Sequence, residues 1–110
     1  KRAERAPPAP EKAAPAPARS STADRRAEAR RLFTAGRRLH TQGRSDDAEV
    51  ELRKAAAMAP GFAEPHLVLG LIYTRAGRKP EAARSFGRFL QLAPQDKRRP
   101  MVEKMLRQVK

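Results

Sequence analysis

A chain of 110 residues carrying 25 Lys plus Arg against 12 Asp plus Glu, net charge +13, has room for one small domain with a tail. It contains no Cys and no Trp, so disulfides, thiolate metal sites and cysteine nucleophiles are excluded together. Its longest uncharged stretch, 65–74, falls far short of the roughly 20 apolar residues of a membrane span.

The first 19 residues are built from Ala, Pro and charge, with five of the chain's ten prolines by position 17. Lacking Leu, Ile, Val and aromatics, they cannot bury enough apolar surface to offset the entropy of ordering. Residues 1–20 are expected to be a disordered, semi-stiff linker. The chain opens on Lys1 without the apolar core of a signal peptide, and we expect it to be a piece of a longer protein.

After the linker the spacing turns helical. Ser21 with Asp24 three residues on matches a capping box with Asp in place of Glu, and so predicts a helix start. Ala29, Leu32, Phe33, Gly36 and Leu39 follow at helical intervals, and Gly43 is a natural stop. A second helix opens at Ser45 with Asp46 and Asp47 near the positive end of its dipole, and ends before Pro60. A third begins near Pro65 and runs to Gly77; a fourth begins near Pro80 and ends at Pro94. A last one begins at Pro100, with Met101, Val102, Met105, Leu106 and Val109 on one side. No stretch alternates as a strand does, so the expected fold is all-α.

The chain also repeats itself. Sliding it by 34 residues superposes Ala29 on Ala63, Gly36 on Gly70, Gly43 on Gly77, Arg44 on Arg78, Ala48 on Ala82, Ala59 on Ala93 and Pro60 on Pro94. These are positions where helices pack tightly or the chain turns. Small residues at Gly36 and Ala48, and at Gly70 and Ala82, allow close helix approach, while Leu39, Leu52, Tyr73 and Phe86 fill the space beside them. One such pair cannot cover its own apolar face, so neighbours must stack.

The period and the residues at these places resemble the tetratricopeptide repeat family. The first repeat, 29–62, matches with Leu32, Gly36, Leu39, Ala48, Leu52, Ala55 and Pro60, and departs at Ala35, where the family has Leu. The second, 63–96, matches with Leu69, Gly70, Tyr73, Ala82, Phe86 and Pro94. It departs at His66, normally apolar, and at Phe89, normally small. The resemblance implies an α-solenoid of two antiparallel pairs over 21–96, with 97–110 as a C-terminal capping helix.

It also implies a function. In the family the first helix of each repeat lines a concave groove that takes a partner's peptide or helix. By place within the repeat, the lining is Arg30, Phe33, Arg37, His40 and Thr41, then Glu64, Leu67, Leu71, Thr74 and Arg75. Apolar and basic together, these suit a segment with apolar anchors and some acidic residues. Arg37 and Leu71 stand where family members that clamp acidic chaperone tails carry Asn, so that specialised role is not carried over. An Ala/Pro spacer followed by a short repeat module is similar to the C-terminal end of large bacterial proteins; no compartment follows from it.

Catalytic constellations are absent. His40 and His66 have no Ser or carboxylate in a recognisable catalytic order, and there is no Gly-rich phosphate loop. Asp46, Asp47, Glu49 and Glu51 cluster at a helix start, where dipole pairing accounts for them. We expect no enzyme, no cofactor and no metal. The alternative partner class is nucleic acid or an anionic surface, suggested by the net charge of +13. Against it, the charge is spread along the chain and the five aromatics, Phe33, Phe62, Tyr73, Phe86 and Phe89, are mostly claimed by packing. Self-association is a further option.

Overall fold

The computed structural model describes residues 21–110, so the linker expected at 1–20 lies outside the described residues. Five helices follow one another: α1 Thr22–Thr41, α2 Ser45–Met58, α3 Glu64–Arg75, α4 Lys79–Leu92 and α5 Arg99–Val109. No strand occurs among the described residues. The protein is all-α, as its spacing predicts. Each helix packs on the next, and α1 also meets α3.

The two tight connections are chemically the same. Gly43 and Gly77 adopt φ of 81° and 76°, the left-handed region where a Cβ is penalised. At the first, Gly43 N–H donates to His40 C=O at 3.0 Å and Arg44 N–H to Leu39 C=O at 2.9 Å. At the second, Gly77 N–H donates to Thr74 C=O at 3.1 Å and Arg78 N–H to Tyr73 C=O at 2.9 Å. This double bond pattern is a Schellman cap, which satisfies orphan carbonyls while reversing the chain. Short connections of this kind return α2 against α1 and α4 against α3.

Helix starts follow the sequence, and the second opens at Ser45 as expected. Ser21 Oγ accepts from Asp24 N–H at 2.9 Å, the forward half of the expected capping box. At α2, Arg44 holds the cap position and makes no side-chain cap bond. Its guanidinium instead pairs with Asp47 at 2.8 Å, and Arg78 before α4 pairs in the same way with Glu81 at 3.4 Å. Both carboxylates lie in a first helical turn, where the dipole favours them.

Packing explains the small residues. A Cβ on Gly36 would stand 2.7 Å from Cγ of Leu52, and one on Gly70 would stand 2.4 Å from Cε1 of Phe86. Ala48 and Ala82 are fully buried beside them. The main core gathers Leu52, Phe86, Phe89 and Val102, all fully buried, with Leu69, Ile72 and Tyr73. A smaller cluster of Ala29, Ala55 and Ala59 joins α1 to the end of α2, flanked by Leu32, Phe33 and Phe62.

The last helix is tied on by charge as well as by Val102 and Val109. Arg98 N–H and Nε donate to Asp96 Oδ1 at 2.8 and 2.9 Å, while Nη1 donates to Glu64 Oε1 at 3.1 Å and Nη2 to Glu64 Oε2. One guanidinium therefore joins the start of α5 to the start of α3, and it also stands 5.4 Å above the Phe89 ring. The bulky Phe89 is fully buried in this arrangement.

Candidate functional site: the basic-apolar face of α1 and α3

Each expected groove residue lies on α1 or α3, and the structure divides them into three groups. Arg30, Arg37 and Arg75 are exposed, with no ion-pair partner among the described residues. Phe33 and Leu71 are half-buried, packed against the core on one side and open on the other. Of the remaining residues, Glu64, Leu67, Thr41 and Thr74 are already engaged within the chain, and the His40 Nδ1 is not.

Phe33 is the best-positioned apolar group. Its ring meets Phe62 edge-on at 5.4 Å, and the Arg37 guanidinium sits 5.8 Å from its centroid. Edge-to-face packing fixes the ring while leaving it partly exposed, so an entering side chain meets an ordered aromatic wall rather than a rotating one. Arg37, exposed and without an ion-pair partner among the described residues, sits beside that wall.

Leu67 is only 6% exposed and belongs to the buried cluster that includes Val102 and Val109 of α5. It supports the face from beneath. Glu64 is held by Arg98. The hydroxyls of Thr41 and Thr74 donate back to Arg37 C=O at 3.0 Å and Gly70 C=O at 2.7 Å, leaving them only acceptor capacity toward a partner. His40 is half-buried, and its Nδ1 has no hydrogen-bond partner.

Two further features lie outside the expected lining. Arg30 also lines a cavity of about 420 Å³ with Arg25, Arg26, Met58 and Phe62, under the first turns of α1. Arg25 Nε donates there to Met58 C=O at 3.3 Å, capping the end of α2 from another helix. The second feature is Met101 on α5, 49% exposed. Its register place follows Phe33 and Leu67 at the same 34-residue step, so applying the repeat once more finds it.

Among the described residues there is no grouping of His, Asp and Glu able to hold a metal ion, and no helix long and apolar enough to cross a membrane. With the fold and this face in hand, comparison with protein-family models and with curated proteins found no match.

Proposed function

We propose that this chain is a tetratricopeptide-like interaction module that binds a segment of a partner protein across α1 and α3. The observation that carries this reading is the pairing of Phe33 with Arg37: a fixed, half-open aromatic beside an unpaired guanidinium. Leu71 extends the apolar part on α3, and Arg30 and Arg75 extend the charge. Such a surface favours an apolar anchor flanked by carboxylates. The repeated geometry supports the resemblance: the Gly36–Leu52 and Gly70–Phe86 contacts, and the two Schellman caps, recur at one period. The role is scaffolding, with no chemistry performed.

Selection from a displayed random peptide library tests the reading. The expected winners carry an aliphatic or aromatic residue within a few positions of Asp or Glu, and lose binding to the Phe33→Ala chain. Winners lacking either feature, or indifferent to Phe33→Ala, would contradict it. The net charge of +13 favours one rival, nucleic acid. A duplex competitor that displaces selected peptides with a steep log-linear salt dependence would support that rival instead.

A further inference from the structure

On the other side of the molecule, α2 and α4 leave a cleft floored by α3. Two adjoining cavities, of about 410 and 540 Å³, share His66, Arg84 and Ser85. The first also reaches Arg53 and the second Arg88. None of this belongs to the face described above.

Three observations make the cleft more than a crease. First, Arg84 and Arg88 stand one turn apart on α4 and neither has a carboxylate partner among the described residues, although six other arginines do. Arg88 donates only to Gln91 at 3.3 Å. Glu81 lines the first cavity together with Arg78, which pairs with it and with Glu49, and the second cavity, around Arg88 and Gly87, has no carboxylate among its described lining residues. Second, the field is felt: burial and the neighbouring Arg88 together hold His66 below its ordinary value. Third, Gly87 lies in mid-helix between the two arginines. Gly36 and Gly70 are required by close packing and Gly43 and Gly77 by positive φ, but a Cβ on Gly87 would meet nothing within 4 Å. A helical glycine is destabilising relative to alanine, and one common reason for keeping it is close approach of another molecule. Gly87 lines this same cleft.

We infer that the α2–α4 cleft binds a single phosphate group on a phosphorylated segment of a protein partner, held between Arg84 and Arg88 with Ser85 beside it and room made by Gly87. Two free guanidiniums and a hydroxyl match the several acceptor oxygens of a phosphate better than the two of a carboxylate. A nucleic-acid strand fits less well. It needs exposed aromatic faces, and the one aromatic here, Tyr73, has Arg78 4.6 Å over its ring and its hydroxyl on Glu49.

His66 reports on the site directly. With only two histidines in the chain, His40→Gln leaves a single imidazole to follow by NMR. A mixed-sequence peptide pool carrying one phosphoserine should move the His66 ring signals and raise its titration midpoint, because the bound anion offsets Arg88. The unphosphorylated pool, and a pool with Glu in place of phosphoserine, should bind at least tenfold more weakly. Arg84→Ala with Arg88→Ala should abolish the shift, and Phe33→Ala should leave it unchanged, which separates this site from the α1–α3 face. Gly87→Ala should raise the melting temperature, whereas Gly87→Leu should fold and weaken phosphopeptide binding at least tenfold. Equal binding of phosphorylated and unphosphorylated pools, or full binding by Gly87→Leu, would overturn the proposal. An oligothymidylate that binds more tightly than the phosphopeptides and moves the same His66 signals would overturn the choice of a protein partner.

Discussion

Gly70 of α3 lies against the ring of Phe86 on α4 so closely that a Cβ there would come within 2.4 to 2.9 Å of three ring carbons. The same relationship, 34 residues earlier, joins Gly36 to Leu52 with contacts of 2.7 and 2.9 Å. The two sites differ in what must yield: at Gly36 a branched aliphatic side chain, at Gly70 a fully buried aromatic plate.

That difference gives an ordered pair of stabilities. Alanine gains about 1 kcal/mol over glycine in helix propensity, while overpacking costs about 1–3 kcal/mol. With ring carbons as close as 2.4 Å the upper end of that cost applies, so Gly70→Ala should lose about 2 kcal/mol net, Gly70→Leu more, and Gly36→Ala less than Gly70→Ala. Urea unfolding followed by circular dichroism measures all three. A Gly70→Ala chain as stable as the parent would show that α3 and α4 do not approach as described.

The two Schellman turns make a second prediction. Gly43→Ala and Gly77→Ala meet no neighbour within 4 Å, so any loss comes from positive φ alone. Each should cost about 1–2 kcal/mol, and the two should add because the turns share no partners. Stability unchanged in both would mean the chain reverses by another geometry.

Legibility in the sequence followed locality. The Ser21 cap, the stops at Gly43 and Gly77 and the small residues at Gly36 and Gly70 are readable because each depends on neighbouring chain or on a strict period. The Arg98 bridge is not. Its partner Glu64 lies 34 residues away, and with so many arginines nothing in the spacing singles out Arg98. Leu67 falls at a groove place by register but is buried in the main core, and how deeply a helix face sinks is a matter of tertiary packing. Of the site, the exposure of Arg30, Arg37 and Arg75 was readable; the Phe33–Phe62 contact was not, since it joins α1 to the α2–α3 connection across the whole of α2. Gly87, by contrast, serves neither a turn nor a close contact in the fold.

A third prediction concerns acid. The Arg98 guanidinium and backbone N–H hold the Asp96 carboxyl down at about 2. A carboxyl depressed in the folded state contributes stability above its unfolded value, ordinarily near 4, and that contribution is lost as pH falls toward 2. Melting temperature should accordingly drop between pH 4 and pH 2, and Asp96→Asn should flatten that part of the profile. An unchanged slope in Asp96→Asn would remove the bridge from the account of α5.

Tyr73 offers a fourth. Burial, then its hydrogen bond to Glu49 at 2.9 Å and the charge of that carboxylate, raise its phenol above the ordinary value of 10. Being the chain's single tyrosine, it can be followed by absorbance alone. Glu49→Gln should bring the midpoint down toward the ordinary value while Tyr73→Phe should cost about 1 kcal/mol. A midpoint indifferent to Glu49→Gln would mean that α2 and α3 are not joined at this point.

The central claim is that α1 and α3 hold a partner segment chiefly through Phe33, with arginines assisting. Stopped-flow association and dissociation of a selected peptide, in the parent, Phe33→Ala and Arg37→Glu chains at two salt concentrations, tests it most directly. Desolvated apolar anchors govern lifetime, whereas exposed charges govern encounter. Phe33→Ala should speed dissociation tenfold or more with association little changed. Arg37→Glu should slow association and reduce its salt dependence, with dissociation little changed. Binding that ignores Phe33→Ala, while weakening alike with each arginine removed and falling steeply with salt, would contradict the claim.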